Sequence, residues 1–395
     1  MKFIHVIIIL FLLPAALFAF DFGIVANVNT GLGGQEEGET VFDFSANIMS
    51  RLFMLVGDNG ELVATTGLSL GVLNEDFFFV PEILHTELTM RFGASGIRVG
   101  RMNYSDPLSF IATGLFDGVQ YFHNGPFGSF NIGAWYTGLL YKKNARIMMT
   151  SDEQATFVQP IDYEDFFDTY FAPKRVITAL GWEHPSFGNF MHFSPAVVAQ
   201  FDLSGDYHSQ YLIMKAAIPI SNLRLEVGSA VELSQGDEFN MAFAGMFGLY
   251  WLFPGEFNKQ LSFTARIAGG GINDFIHPFV PITTKFYGFS IKHKMSGLSV
   301  LSLDYSARLH QTFSVSAGVL YFVRNDKGTF HGYPLAADSD GFFLGPEIYT
   351  GMKWSPFSDF QINFGGGIFF PSYGDAGKEE PASWKAELSA VLALY

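Results

Sequence analysis

Apolar and polar residues alternate with a period of two through most of the chain. From Val41 to Val56 one face reads Phe42, Phe44, Ala46, Ile48, Ser50, Leu52 and Met54, and the other reads Asp43, Ser45, Asn47, Met49 and Arg51. Successive side chains of an extended strand point to opposite faces, so the stretch predicts a strand with one apolar and one polar side. After the tight turn Gly57-Asp58-Asn59-Gly60 the pattern returns, with Leu62, Ala64, Thr66, Leu68, Leu70 and Val72 against Thr65, Gly67 and Ser69. It returns again as Leu84, Thr86, Leu88, Met90 and Phe92 against His85, Glu87, Thr89 and Arg91. Later copies run from Leu223 to Leu233 (polar Arg224, Glu226, Glu232), from Leu261 to Ile267 (polar Arg266) and from Leu301 to Leu309 (polar Asp304, Arg308). Strands joined in this order predict an antiparallel meander.

A slip of one residue would swap the two faces, so such regularity implies a sheet with one fixed apolar side. That side faces either the inside of a soluble sandwich or lipid. Aromatic residues near strand ends, as in Phe77-Phe78-Phe79, Tyr250-Trp251, Trp354 and Phe369-Phe370, suit the interfacial girdles of a membrane barrel. Roughly nineteen alternating segments can be marked, from Phe22–Thr30 to Trp384–Tyr395, whereas single-chain bacterial barrels have an even number. The surplus falls in Gly269 to Gly297, which contains the segment Lys285 to Lys294 and where Gly269-Gly270-Gly271, Pro278 and Pro281 blur the boundaries. The expectation is therefore an all-β, transmembrane antiparallel meander barrel of about 18 strands, with about 16 the next count. Connections alternate between short (Gly57–Gly60, Gly93–Gly96, Asn124–Phe127) and long (Ser105–Phe116, Lys142–Lys174), the pattern of periplasmic turns and outer loops. In the first long loop Ser105 or Asp106 can cap a helical turn.

Composition selects between the two environments. The chain is 49% hydrophobic, carries 45 Phe and only 15% charged residues, against about 25% in soluble domains. Beyond the N-terminus no apolar run is long enough to cross a bilayer as a helix, and only helices and closed barrels satisfy the backbone there. Residues 1–19 read as an export signal: a single lysine, Lys2, an apolar run from Val6 to Phe18, then Ala15, Ala16 and Ala19 before an expected cut. The mature barrel is then 20–395, with no N-terminal plug domain, destined for the outer membrane of a diderm bacterium. The chain has no cysteine, which rules out a lipid-anchored cysteine and disulfides.

Net charge is −15, with acids concentrated in presumed loops such as Gln35 to Glu39 and Asp152 to Asp168. This disfavours nucleic acid, whose phosphates need a basic surface, and reads as a solvated acidic rim more readily than as a metal site. Histidines His85, His123, His184, His192, His208, His277, His293, His310 and His331 fall in no metalloprotease pattern, and no nucleophile elbow is present. No enzyme and no cofactor is expected. An outer-loop cluster of Asp162, Glu164, Asp165 and His184 is the one catalytic or metal arrangement open to the sequence.

Two stretches carry a resemblance. One is Ile97-Arg98-Val99-Gly100-Arg101, followed by the loop and Asp117-Gly118-Val119. The other runs from Gly345-Pro346-Glu347-Ile348-Tyr349-Thr350-Gly351 through Trp354-Ser355-Pro356-Phe357-Ser358-Asp359 to Gly365-Gly366-Gly367-Ile368-Phe369-Phe370-Pro371, with a last strand ending on Tyr395. In these the chain resembles the large outer-membrane porins, most closely the eighteen-stranded channels of the alginate-export type. The last strand departs from the usual assembly signal, since bulky Leu394, Leu392, Leu388 and Trp384 lie out of phase with Tyr395. The resemblance implies passive diffusion of a small hydrophilic solute through a water-filled lumen narrowed by inward loops, with outer-membrane lipid and the assembly machinery as partners. The expected constriction loop carries Asp106, Pro107, Phe110 and Asp117. The expected pore lining is Arg91, Arg98, Arg224, Arg266, Arg308, Glu87, Glu226, Glu232, Asp304 and Glu347. Taken singly, each charge is more readily an ion pair between neighbouring interior strands; taken together, they suit a pore. The competing function is a non-conducting surface barrel, structural or adhesive, acting through loops such as Lys142–Lys174 and Val323–Phe343.

Overall fold

The computed structural model describes residues 20–35, 38, 40–73, 76–205, 207–236, 238–271, 276–326, 340–376 and 381–394. The signal-peptide expectation lies outside them, as does most of the loop after Val323. Eighteen antiparallel strands form one sheet. They are β1 (Phe20–Gln35), β2 (Val41–Val56), β3 (Gly60–Leu73), β4 (Asp76–Phe92), β5 (Ser95–Ser105), β6 (Thr113–Gly125), β7 (Gly128–Tyr136), β8 (Arg175–Phe187), β9 (Met191–Asp202), β10 (His208–Ile220), β11 (Leu223–Gln235), β12 (Phe239–Leu252), β13 (Gln260–Ala268), β16 (Leu298–His310), β17 (Phe313–Arg324), β18 (Phe343–Phe357), β19 (Phe360–Phe369) and β20 (Ser383–Leu394). Each pairs with its neighbour in sequence, and β20 pairs with β1 from Ile24↔Leu394 to Gln35↔Ser383, which closes the barrel.

The expected count of eighteen holds, and the surplus segment lies where the sequence blurred, between Gly269 and Gly297. Lys285 to Lys294 holds only a two-residue hairpin, β14 (Phe286–Tyr287) with β15 (His293–Lys294), separate from the barrel. Gly288 between them has φ +100°, a conformation that bends the chain back before a strand can extend.

Alternation places apolar residues outward all round. Phe22, Ile24, Val28 and Leu32 of β1, Leu301, Leu303 and Tyr305 of β16, and Leu388, Leu392 and Leu394 of β20 are exposed. Each such side chain gains about 1.5–3 kcal/mol on leaving water. A continuous belt of them is stable only against lipid. The out-of-phase set at the C-terminus is therefore the lipid face of β20. The aromatic clusters split as alternation requires. Phe77 and Phe79 point outward, while Phe369 is buried inside. Connections at one end are short, four of them with glycine at positive φ, Gly57, Gly93, Gly188 and Gly255, and the start of β1 and the end of β20 share that turn end. The long connections all lie at the other, loop end.

The ladder of the wall is interrupted between β4 and β5. The β4–β5 pairing ends at Thr86↔Arg101, so β4 above Ile83 has no strand on that side. Gly100 marks the departure: φ is +118° and a Cβ there would stand 1.9 Å from the Thr86 carbonyl oxygen. The gap is filled by the connection from β7 to β8, which contains α1 (Lys142–Ala145), α2 (Ser151–Val158) and α3 (Phe166–Tyr170). Side chains replace the ladder there: the Tyr163 hydroxyl bonds the backbone of Phe79, the Tyr170 hydroxyl donates to Pro81 O at 2.9 Å, and Arg101 donates to Ile83 O. Pro81, which has no N–H to offer, suits this edge.

Candidate functional site: a lumen narrowed by three loops

The lumen is narrowed from the loop end by three connections that meet inside it. The first, residues 106–112 between β5 and β6, is no helix. Its Asp106 carboxylate accepts from the backbone N–H groups of Leu108 (2.7 Å), Ser109, Ile111 and Ala112 (2.9 Å each), which coils the segment round one buried anion. Burial pushes the Asp106 carboxyl up, and the four N–H groups pull it back. Asp106 thus caps, as its position suggested, but caps a loop. Leu108 packs onto Gly228 of β11, where a Cβ would lie 2.3 Å from its methyl carbon, so the loop reaches a distant wall.

The second connection, residues 269–297 from β13 to β16, crosses the first. Thr283 N–H donates to Ile111 O at 3.0 Å, Thr113 N–H donates to the Thr283 hydroxyl at 2.8 Å, and Phe110 meets Phe279 edge-on at 6.4 Å. The third is the β7–β8 connection, whose Arg146 carbonyl accepts from Thr284 N–H at 2.8 Å. Phe110, Ile111, Ile147, Phe279 and Ile282 form a buried core between the three, so these loops pack as one body.

Two buried carboxylates tie that body to the wall. Glu232 on β11 accepts from Val280 N–H at 2.8 Å and from the hydroxyls of Tyr207 and Tyr211 at 3.2 Å each. Glu347 on β18 accepts from Phe289 N–H (2.5 Å), Ser290 N–H (3.1 Å), Ser290 Oγ (2.7 Å) and Ile291 N–H (3.2 Å). The third loop is anchored by fully buried Arg175, which pairs with Glu153 at 2.7 Å and Asp202 at 3.0 Å.

What remains open is a cavity of about 1000 Å³ along β1, β2 and β16–β20. Its lining reaches from Val72 and Phe78, near the loop end, to Asn258 and Arg308, near the turn end. Asp43, Lys353, Lys385 and Glu387 line it, and Phe289 at the tip of the second loop narrows it from inside. Lys385 and Glu387 pair at 2.5 Å. Lys292, exposed and three residues on from Phe289, stands within electrostatic reach of the cavity-lining Asp43, Lys385 and Glu387. Burial chiefly, then the nearby Lys385, holds its ammonium below the usual range, with Glu387 and Asp43 acting the other way. Among the described residues Arg146, Lys292, Arg308 and Lys353 have no carboxylate within salt-bridge distance. A smaller polar cavity of about 300 Å³ lies on the far side, lined by Arg98, Lys215, Arg224 and Pro107 among others.

The expected pore residues thus fall into separate groups. Arg308 lines the main cavity; Arg98 and Arg224 line the smaller one. Arg91 faces Glu61 at 3.9 Å, Arg98 faces Glu87 at 3.6 Å, and Glu226 holds Arg224 at 2.6 Å and Lys215 at 3.1 Å. Arg266 lies over the Tyr287 ring, and Asp304 accepts from the Tyr349 hydroxyl. Glu232 and Glu347 face inward but are covered by the second loop, so they anchor it and do not meet the solute path. Phe110 is buried in the loop core. Asp117 stands on β6, not on the loop, and pairs with Arg101 at 2.8 Å where the β5–β6 hairpin leaves the wall. The sequence list omitted Asp43, Lys353, Lys385 and Glu387, although the polar face of their strands marks each. Lys292 carried no such signal, because its segment reads as wall. Asp162, Glu164 and Asp165 sit in the loop-end connection, while His184 is near the turn after β8, at the opposite end, so they form no cluster. No group of metal-binding side chains occurs among the described residues.

No protein-family model and no curated protein matches this sequence. Solved structures do match in fold. The chain is similar to Pseudomonas aeruginosa OccK2 (OpdF), at 10% identity and TM-score 0.63, over 95% of this chain and 97% of that one. The same protein in complex with glucuronate matches at 11% identity and TM-score 0.63, over 95% and 98%. The outer membrane protein OprD of Pseudomonas aeruginosa matches at 12% identity and TM-score 0.57, over 96% and 94%. Over nearly the whole length of both chains, therefore, the fold is that of these eighteen-stranded outer-membrane barrels.

Proposed function

We propose that this protein is an outer-membrane channel for passive diffusion of small hydrophilic solutes, with a preference for anions. The observation that carries the reading is the main cavity, whose lining extends from the loop end of the barrel to the turn end along one wall. Unpaired Lys353 and Arg308 in its lining, with Lys292 within electrostatic reach of it, against unpaired Asp43 give that path an excess of positive charge, even though the whole chain carries −15. Local charge in a narrow low-dielectric path governs permeation more than net charge does. A structural neighbour holds glucuronate, a small anionic solute of the charge this path suits. Export with cleavage after Ala19, insertion with the loop end outside and delivery by the barrel assembly machinery belong to the same proposal.

Single-channel recording on purified, folded protein tests it. Stepwise conductance with a reversal potential favouring chloride in a potassium chloride gradient is expected. A folded barrel that inserts and never conducts would favour the competing surface-protein reading.

A further inference from the structure

The Glu347 carboxylate has an unusual set of partners. It is fully buried, and among the described residues no cation pairs with it. Every donor it has belongs to three successive residues of the second loop, Phe289, Ser290 and Ile291. A buried carboxylate left without donors is costly, so wall and loop tip stabilise each other. The tip is shaped for the purpose. Gly288, with φ +100° and a position where a Cβ would stand 1.9 Å from Ile291 O, makes the bend that turns three N–H groups toward one anion. On one side of the bend the Phe289 ring lies on the bare backbone of Gly365 and Gly367, where a Cβ would come within 2.9 Å of it. On the other, His293 packs on Phe322 at 4.3 Å and Phe369 at 5.8 Å.

Between those two contacts stand the groups that matter to a solute. Phe289 narrows the main cavity, and Lys292 places a charge within electrostatic reach of its lining residues Asp43, Lys385 and Glu387. We infer that Glu347 is a positioning residue of the channel: it holds segment 288–292 against β18 and β19, and so sets the width of the path through Phe289 and its charge through Lys292. This rests on the channel reading above.

The test compares wild type with Glu347→Gln, Gly288→Ala, Phe289→Ala and Lys292→Gln, all checked for the folded barrel by heat-dependent gel mobility. Two readouts are used: trypsin cleavage after Lys292 and Lys294 in the folded protein, and single-channel conductance with reversal potential. Glu347→Gln keeps the size of the side chain but loses the charge, and cleavage is expected to rise about tenfold or more, since charge-assisted hydrogen bonds to the tip are lost. Gly288→Ala disturbs the tip from the loop side, leaving Glu347 charged while its added methyl meets Ile291 O and crowds Glu347 Oε2, and is expected to reproduce that result even if Glu347→Gln fails to assemble. Phe289→Ala is expected to raise conductance with selectivity nearly unchanged, and Lys292→Gln to lower anion preference with conductance nearly unchanged. Glu347→Gln is expected to do both. Folded Glu347→Gln and Gly288→Ala proteins with wild-type trypsin resistance and wild-type conductance would overturn the inference. If the wild type itself never conducts, the channel reading fails, and the trypsin comparison alone still decides whether Glu347 holds the tip.

Discussion

Buried charges in this barrel are used as fasteners, each with its donors or counter-ions gathered from loops. Arg175 is the clearest ion pair: it has no solvent contact and holds Glu153, the residue that also closes the capping box of α2 with Thr150, together with Asp202 on β9. Removing one member of such a group leaves the others charged and unpaired, at a cost of about 3–5 kcal/mol. Arg175→Met is therefore expected to release the β7–β8 connection while the barrel survives, seen as new protease cutting between Tyr141 and Lys174. His293 gives the second loop a pH dependence. Burial pushes its imidazole down to about 3, so it is docked neutral, beside Lys292 and Lys294. Between pH 6.5 and 3 the undocked state binds the extra proton, so docking of the tip weakens as pH falls through that window. Hydrogen exchange of residues 286–294 is expected to speed up relative to the strands on going from pH 7 to pH 4, and His293→Phe is expected to blunt that change. At this scale the polar face of each strand was legible, because alternation alone decides it. Whether a polar side chain then meets water or a loop was not, since Glu232 and Glu347 are covered by residues some fifty positions away in sequence.

Elements obey alternation closely enough for neighbouring positions to behave oppositely. Val28 faces outward near the middle of β1 and Asn29 faces the main cavity. Val28→Arg is expected to cost about 2–4 kcal/mol in the free energy of folding into lipid, measured by urea titration, as for a cation near the bilayer midplane. Asn29→Arg is expected to leave that energy almost unchanged and to alter conductance instead. The strands were readable for this reason, including the alternation that later proved to be Leu394, Leu392 and Leu388 on lipid. Two elements were not. Phe286-Tyr287-Gly288-Phe289-Ser290-Ile291 has the composition of a strand, and only the positive φ at Gly288, a property of tertiary context, turns it into a hairpin. The inward departure of the β5–β6 hairpin likewise depends on the Arg101–Asp117 pair and on the loop that closes the resulting gap in the wall, neither of which periodicity encodes.

For the molecule as a whole, eighteen strands enclose more space than their own side chains fill, and three interlocked loops narrow it, leaving a path along β16–β20 and β1–β2. The belt of apolar residues, the shared end of the two strand termini and the alternation of turns and loops belong to a membrane-spanning barrel, and the loops decide what it does there. If the path is continuous and cationic, the protein conducts and prefers anions. The most direct measurement is single-channel recording of the purified barrel in a planar bilayer across a potassium chloride gradient. The expected result is discrete ohmic steps with a reversal potential displaced toward that of chloride. Inserted, folded protein that produces no steps would contradict the channel reading, and steps reversing toward the potassium potential would contradict the anion preference.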